Sequence, residues 1–304
     1  MTASDWQDQL VALYCVVCEE YSSHLWTHVQ RQSNNARPAF SDEEVLTVYL
    51  FGLLRRCPSV KDGYRLSADL LGAWFPRLPS YEAFSHRLGA LSPALPALVE
   101  ALLGRLPAPC ASTTHLLDSM PVLLAKGVRA HAARVAAEMA DMGYCASKQT
   151  YYYGVKLHAL GLHTPHALPR LEQAWVSRAS QSDIAEAKQR TAELPAGELY
   201  ADKAYQDRTW EAELAEHQQL ALRTPVRRVR GGPPLDAADR LLGTAVSRVR
   251  QPIESFFAWL DRLTRIEDAS RVRSTAGLWV HLFGRLAAAL LMILFNSLFT
   301  YPRV

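Results

Sequence analysis

Two aspartates follow apolar segments that have the pattern of buried β-strands. Asp118 comes directly after Leu116-Leu117, and Asp202 comes directly after Leu199-Tyr200-Ala201. An ionised carboxylate at the end of an interior strand is costly unless it is paired or bound to a cation. Each residue alone has an ordinary alternative as a turn or helix-capping aspartate. Two such residues in one chain leave the functional and the structural interpretation both open.

Glu254 is the third carboxylate that could belong to the same site. The alternative for this residue is a surface ion pair with Arg250, four residues earlier, worth about 0.2–0.5 kcal/mol. On spacing alone, the pattern favours that surface pair. Glu254 lies at the shoulder of an apolar stripe with helical spacing, which consists of Ile253, Phe256, Phe257, Leu260 and Leu263.

Carboxylates that converge on one point can support phosphoryl transfer. Two divalent ions about 3.5–4 Å apart can clamp the attacking and leaving oxygens of an in-line displacement. Mg²⁺ prefers hard oxygen ligands and retains several waters, so a few Asp and Glu residues suffice to hold it. Metal-dependent phosphoryl transfer is therefore the chemistry that these three residues suggest.

The composition is that of a folded protein with local basic segments. The 304 residues are enough for one large domain or two ordinary ones, and a hydrophobic fraction of 49% argues against disorder. The net charge is only +3, but arginine is concentrated in stretches such as residues 223–230. Local basic segments suit a protein that contacts phosphate groups and also holds acidic metal ligands.

The five cysteines are scattered, which argues against a disulfide framework and for a reducing compartment. Cys15 and Cys18 form a CxxC pair, but no second pair follows at zinc-site spacing. We predict that both pack inside a buried helix, as free cysteine often does. No signal peptide is evident, and the apolar segment Leu286–Phe295 is shorter than the roughly 20 residues of a bilayer span, so a cytoplasmic protein is expected.

Residues 1–108 are predicted to form an all-helical N-terminal domain. Ser41-Asp42-Glu43-Glu44 is a capping box before an apolar run, and Ser80 has the position of a cap for a helix that begins at Tyr81. Short helices with exposed arginines are typical of helix-turn-helix DNA-binding domains, and a plain helical bundle explains the same pattern. Both interpretations stay open.

Residues 109–304 are predicted to form a second domain of α+β type. A helix is expected from Ser182-Asp183, and helices dominate from about residue 237. The strand order predicts a ribonuclease-H-like fold with a mixed five-stranded sheet flanked by helices. The first strand is expected to end at Ser119-Met120-Pro121. The five segments with strand composition are residues 113–118, 151–158, 171–177, 198–202 and 220–224.

Four local strings carry a resemblance to a known family. They are Asp118-Ser119-Met120-Pro121, then Gly143–Lys148 with Tyr152–His158, then Tyr200–Tyr205, and finally Arg250-Gln251-Pro252-Ile253-Glu254. They resemble, in the same order, the first-aspartate motif, the second-strand signature, the second-aspartate motif and the glutamate-bearing helix of DDE transposases from bacterial insertion sequences. The match is closest to the insertion-sequence 982 family and covers residues 40–298.

The resemblance implies that Asp118, Asp202 and Glu254 are the catalytic residues and bind two Mg²⁺ or Mn²⁺ ions. It implies an enzyme that cleaves double-stranded DNA at the terminal inverted repeats of an element, leaving a 3′-hydroxyl that attacks the target DNA. By the same analogy we expect a bacterial, nucleoid-associated protein that acts as a homodimer on paired ends.

Basic residues near these motifs are the predicted DNA contacts. Clustered arginine binds the phosphate backbone without reading sequence, although a solvated loop explains the arginines of residues 223–230 equally well. Related elements often have a tyrosine and a lysine where this chain has Ser247 and Asp261, so neighbouring arginines are expected to replace them. The predicted contacts are Lys148, Lys156, Arg227, Arg228, Arg230, Arg248 and Arg250.

Three other functions remain as alternatives to a transposase. A nuclease of the same fold would cut DNA without joining it. An inactive or domesticated derivative would bind DNA without cleaving it, although an intact set of three carboxylates weighs against this. A purely helical scaffold protein would contain no strands.

Overall fold

The computed structural model describes residues 3–30, 38–107, 112–146, 148–227, 231 and 234–298. The chain divides into two compact units. The helical unit consists of Met1–Leu106 with Leu260–Val304, and the sheet unit consists of Pro107–Trp259. Two of the predicted DNA contacts, Arg228 and Arg230, lie outside the described residues.

The helical unit contains six of the described helices. The predicted capping box at Ser41 is confirmed, because its hydroxyl accepts the Glu44 backbone N–H and the Glu44 carboxylate accepts the Ser41 N–H. The predicted cap at Ser80 is also confirmed. These helices are α1 Ala3–Glu20, α2 Asp42–Leu54, α3 Val60–Leu70, α4 Tyr81–Ala90, α5 Leu95–Arg105 and α10 Thr275–Leu298.

The helix α10 is the apolar centre of the helical unit and packs against α5 and α2. The buried hydroxyl of Tyr49 on α2 donates a hydrogen bond of 2.7 Å to the Val280 carbonyl of α10. The prediction placed residues 260–304 with the sheet, but the apolar face of α10 is buried among the N-terminal helices instead. The hydrophobic effect therefore groups these distant parts of the chain.

The length of α10 corrects one expectation from the sequence. The predicted apolar segment Leu286–Phe295 belongs to a longer apolar stretch, Thr275–Asn296, which is long enough to cross a bilayer. However, 72% of its most apolar window is buried inside the protein, which is typical of a core helix. The prediction of a buried C-terminal helix agrees with this burial. The prediction that the apolar segment is too short to cross a bilayer was wrong.

The prediction that both cysteines of the CxxC pair are buried was wrong for Cys15, which is exposed, while Cys18 is half-buried. The helical period explains the difference, because Leu10, Leu13 and Val17 form the buried face of α1. Cys15 lies on the opposite side of the helix.

The sheet unit contains a mixed sheet in which β1 is central, which confirms the predicted α+β fold class. The strand β3 pairs antiparallel with β1, while β5 runs parallel to β1 and β6 runs parallel to β5. Both β2 and β4 pair with the other edge of β3. The six strands, one more than predicted, are β1 Thr114–Lys126, β2 Asp141–Cys145, β3 Thr150–Leu162, β4 Arg170–Arg178, β5 Gly197–Ala201 and β6 Leu220–Arg223.

The strand β1 is longer than the sequence predicted. It continues past Ser119-Met120-Pro121 to Lys126 and pairs with β3, with one irregularity between Leu123 and Ala125. On its other edge, β5 pairs only with Thr114–Leu117. A proline can lie in a strand where no neighbour requires its missing N–H, so Pro121 is tolerated beyond the end of that pairing.

Helices flank the sheet within the sheet unit. The core between sheet and helices includes Leu117 of β1, Leu199 and Ala201 of β5, and Trp210 and Leu214, which lie on α8. The helices of this part of the chain are α6 Val128–Ala132, α7 Asp183–Gln189, α8 Arg208–His217 and α9 Ala237–Thr264, whose last residues belong to the helical unit.

Candidate active site

Asp118 and Asp202 lie side by side because of the register between two parallel strands. Leu117 of β1 is opposite Ala201, the last residue of β5, and each of the two aspartates directly follows one member of this pair. Residues in register on neighbouring strands project from the same face of a sheet. The sequence prediction that both carboxylates end interior strands holds for Asp202, whereas Asp118 lies within the longer β1.

The local backbone orients both carboxylates. The Asp118 carboxylate accepts the backbone N–H of Ser119 at 2.9 Å. Asp202 caps a short 3₁₀ turn and accepts the N–H of Lys203 at 2.7 Å. Its strand begins at Gly197, which has a φ of +124° and touches the Thr113 backbone, so that a side chain there would collide. These contacts restrict where the two carboxylates can point.

Glu254 lies on α9, whose apolar stripe is buried as the helical spacing predicted. Ile253 and Phe256 are fully buried, whereas the Glu254 side chain is 57% exposed. Pro252 lies inside the helix and lacks the N–H that would bind the Arg248 carbonyl. Glu254 therefore projects from an anchored helix with its carboxylate largely accessible.

Arg250 joins the three carboxylates through one guanidinium group. Its nitrogen atoms lie 3.1 Å from Asp118 Oδ2, 3.9 Å from Asp202 Oδ1 and 3.4 Å from Glu254 Oε1. The prediction of a mere surface pair between Arg250 and Glu254 was wrong, because the Arg250 side chain is only 6% exposed. The guanidinium is the centre of a four-residue cluster that gathers β1, β5 and α9.

The electrostatics of the cluster are dominated by burial. The pKa of Asp118 is raised to about 6, mainly by burial and to a smaller extent by the neighbouring carboxylates Asp202 and Glu254. The Arg250 charge and the Ser119 N–H act in the opposite direction. Three carboxylates surround a single positive group, so the fully ionised cluster carries an excess of negative charge.

The donor set of the cluster fits a hard divalent cation. Carboxylate oxygens are the ligands that Mg²⁺ and Mn²⁺ prefer, and the Arg250 guanidinium already provides the positive charge that all three carboxylates contact. Within the described ranges, no group of three His, Cys, Asp or Glu side chains is close enough to hold an ion as it stands. The carboxylates would have to close further around a cation.

The described DNA-contact candidates fall into an exposed group and a buried group, and the buried group consists of Lys156 and Arg250. Lys148, Arg227 and Arg248 are exposed, as a residue that binds phosphate should be. Lys156 is only 16% exposed, and its Nζ donates to the Asp183 carboxylate at 2.9 Å and to the Gln181 carbonyl at 2.8 Å. In this arrangement Lys156 connects β3 with the start of α7, and its contact with DNA stays a prediction.

An exposed aromatic pair on the β2–β3 hairpin was missed in the sequence. Tyr144 and Tyr151 are opposite each other in the register, with ring centroids 4.9 Å apart, and their exposed fractions are 50% and 61%. Tyr152 and Tyr153 are buried, as expected for strand tyrosines. Strand alternation could not have found the pair, because it places the buried Tyr153 on the same face as the exposed Tyr151.

Comparison with known protein families identifies a family for this chain. A family model described as "Transposase DDE domain" matches residues 110–275, which is more than half of the chain and includes all three carboxylates. No curated protein matches the sequence.

Proposed function

The chain belongs to the transposase DDE-domain family, and we propose that it cleaves the ends of an insertion sequence and joins them to target DNA, with Asp118, Asp202 and Glu254 as the catalytic residues. The observation that carries this proposal is the convergence of these three carboxylates on one guanidinium. We also propose the finer assignment to the insertion-sequence 982 family of bacteria, which rests on the motif strings alone.

The three carboxylates would hold the divalent ions that this family normally uses. When bound, Mg²⁺ or Mn²⁺ stabilises the attacking and leaving oxygens of a phosphoryl transfer and activates the nucleophile. We propose two ions by analogy with the two-metal sites of other enzymes that catalyse phosphoryl transfer. The support from this chain is the all-oxygen donor set and its excess negative charge.

The three ligands differ in how firmly the fold holds them. Asp118 and Asp202 are fixed by strand register and by backbone hydrogen bonds. Glu254 is the most exposed of the three and has the longest side chain, so it can adjust to close the site. A site built on two rigid ligands and one adjustable ligand can bind its cation without refolding the sheet.

Arg250 has two roles in this proposal. Without a divalent cation, its guanidinium neutralises part of the carboxylate charge that burial makes costly. Once a cation takes over that task, the guanidinium, which is only 6% exposed here, would turn outward to donate hydrogen bonds to a DNA phosphate, for which its planar geometry is well suited. Arg250 would thereby hold DNA beside the carboxylates that act on it.

DNA would reach the sheet unit through its exposed basic and aromatic residues. Lys148, Arg227 and Arg248 are accessible for phosphate contacts, and the Tyr144–Tyr151 pair offers a stacking surface for bases. Synapsis of two ends calls for two copies of the protein, so we propose a homodimer on nucleoid DNA in the cytoplasm.

The test compares wild-type protein with Glu254→Gln on a plasmid that carries the element's own ends. We expect end cleavage and strand transfer with Mg²⁺ or Mn²⁺ for the wild type and neither reaction for the variant. Glu211→Gln is the matched control, because Glu211 is an exposed glutamate on α8 of the same unit. Mn²⁺ binding, followed by electron paramagnetic resonance, should weaken in Glu254→Gln and stay unchanged in the control.

Other outcomes would replace the proposal with one of its alternatives. Cleavage without strand transfer would identify a nuclease of the same fold. Binding to DNA without cleavage by the wild type would identify an inactive derivative. Equal cleavage by the wild type and Glu254→Gln would remove Glu254 from the catalytic set.

A further inference from the structure

The helical unit contains a cavity that the proposed chemistry does not use. Its volume is about 360 Å³, which is in the range of sites for small ligands. Its lining includes apolar side chains, among them Val60, Leu88 and Val280, together with Tyr81. Much of the remaining lining comes from the segment between α9 and α10 and from the first turns of α10.

The charged residues that line this cavity carry a large excess of positive charge. Four arginines line it, and Asp268 is the single carboxylate among the lining residues. Burial lowers the pKa of His281 to about 3, so that this lining residue is neutral at pH 7. Within the described part of the chain, no salt bridge joins any of the four to an acidic side chain. The four arginines are Arg265, Arg271, Arg273 and Arg285.

Arg285, which is buried on α10, is the arginine that most clearly indicates an anion site. Its guanidinium donates to the backbone carbonyls of Thr264 and Pro58 and to Nδ1 of His281, all of which are neutral acceptors. A buried cation without a paired anion is costly, and burial accordingly lowers the pKa of Arg285. The protein maintains a positive charge at the base of the cavity without an acidic side chain bonded to it.

The backbone at the start of α10, which lines the cavity, also favours an anion. The helix α10 has 24 residues and begins at the cavity lining, where Ser274 caps it by accepting the Gly277 N–H. The positive end of the helix dipole therefore faces the cavity. Arg265 adopts a φ of +57°, a left-handed conformation that favours glycine, yet the position carries a long basic side chain.

We propose that this cavity binds a phosphate group, supplied by the backbone of bound DNA, so that the helical unit contributes its own anchor for DNA. The inference rests on the proposed function for the identity of the ligand, but not for the existence of the phosphate site. Arginine guanidinium groups bind phosphate oxygens in pairs of parallel hydrogen bonds, and the apolar part of the lining leaves room for the attached sugar. This contact would add affinity without reading sequence.

The test measures DNA binding of the full chain in EDTA, so that its result does not depend on cleavage. The variant Arg265→Gln/Arg271→Gln removes two arginines of the cavity lining that are exposed on the surface of the helical unit, so it should fold normally. The control Arg65→Gln/Arg77→Gln removes the same charge from exposed positions of that unit outside the cavity lining. The probe is a short fluorescein-labelled duplex of arbitrary sequence, titrated over a range of salt concentrations.

We expect the cavity variant to bind about tenfold more weakly, with a salt dependence reduced by about one unit of log K against log salt. The control should change affinity less than twofold, within about the usual effect of a surface substitution. Equal losses of DNA affinity in both variants would overturn the proposal, because net charge alone would then account for the effect. No loss of affinity in either variant would overturn it as well.

A second measurement identifies the source of the phosphate. Inorganic phosphate, added at constant ionic strength, should raise the melting temperature of the wild type and leave that of the cavity variant unchanged. This stabilisation together with the weaker DNA binding supports a site for the DNA backbone. Stabilisation of the wild type by phosphate with undiminished DNA binding by the variant would overturn DNA as the source and assign the cavity to a free phosphate compound.

Discussion

Replacing Asp118 with asparagine is expected to stabilise the protein in the absence of divalent ions. Burial raises the pKa of Asp118 to about 6 from its ordinary 3.8, even though Arg250 lowers it. The folded state therefore holds the proton more tightly than the unfolded state, and ionisation of the carboxylate opposes folding. Asparagine is similar in shape to the protonated side chain and avoids the cost of ionisation.

The magnitude and the pH window follow from the two pKa values. A difference of about two pKa units corresponds to roughly 3 kcal/mol of unfolding free energy, and the Asp118 side chain is only 19% exposed, so solvent screens little of it. Because the folded-state pKa is the higher one, the wild type loses this stability as the pH rises from about 4 to about 6. The difference in unfolding free energy between Asp118→Asn and the wild type is therefore absent below about pH 4 and constant above about pH 6.

The assay is urea unfolding in EDTA, followed by circular dichroism, at a series of pH values across this window. Asp69→Asn is the control, because Asp69 is an exposed carboxylate on α3, and its replacement should change the unfolding free energy by less than about 0.5 kcal/mol. Mg²⁺ should then stabilise the wild type and not Asp118→Asn. Equal unfolding free energies of Asp118→Asn and the wild type at neutral pH, or a difference between them that is the same at all pH values, would refute the reasoning.

Three further substitutions test the packing that supports the two units. Arg87→Gln should destabilise the protein by about 3–5 kcal/mol in urea unfolding, because it breaks the ion pair between Arg87 and the buried Asp42 carboxylate; a loss below 1 kcal/mol, the scale of a surface pair, would contradict this. Gly284→Ala should cost about 1–3 kcal/mol, since the added methyl group would overlap the Tyr49 ring, and an unchanged melting temperature would show that α10 can shift. Gly197→Ala should cost about 1–3 kcal/mol through its positive φ and its backbone contact, and it should also weaken Mn²⁺ binding by displacing the strand that carries Asp202.

Much of the local structure could be predicted from the sequence. The caps at Ser41 and Ser80 are confirmed because a helix start depends on hydrogen bonds between residues three positions apart. The five predicted strands exist, and each contains a short apolar run of its own, such as Leu199-Tyr200-Ala201 in β5. The strand β2 escaped prediction because Asp141–Cys145 has no such run, and it is a strand only through its pairing with β3.

The sequence by itself indicated which residues could do chemistry: Asp118 and Asp202 stood out from the apolar run before each, and the resemblance of its helix to a known motif pointed to Glu254. Their convergence was decided by tertiary structure, because the contact between Arg250 and Asp118 joins residues 132 positions apart. Exposure, too, is a property of the folded state: Arg250 has the sequence context of a surface residue, yet its side chain is buried. Packing likewise placed residues 260–304 with the N-terminal helices and gathered four arginines around a cavity. Local patterns cannot encode such contacts, because the burial of apolar surface that creates them is summed over the whole chain.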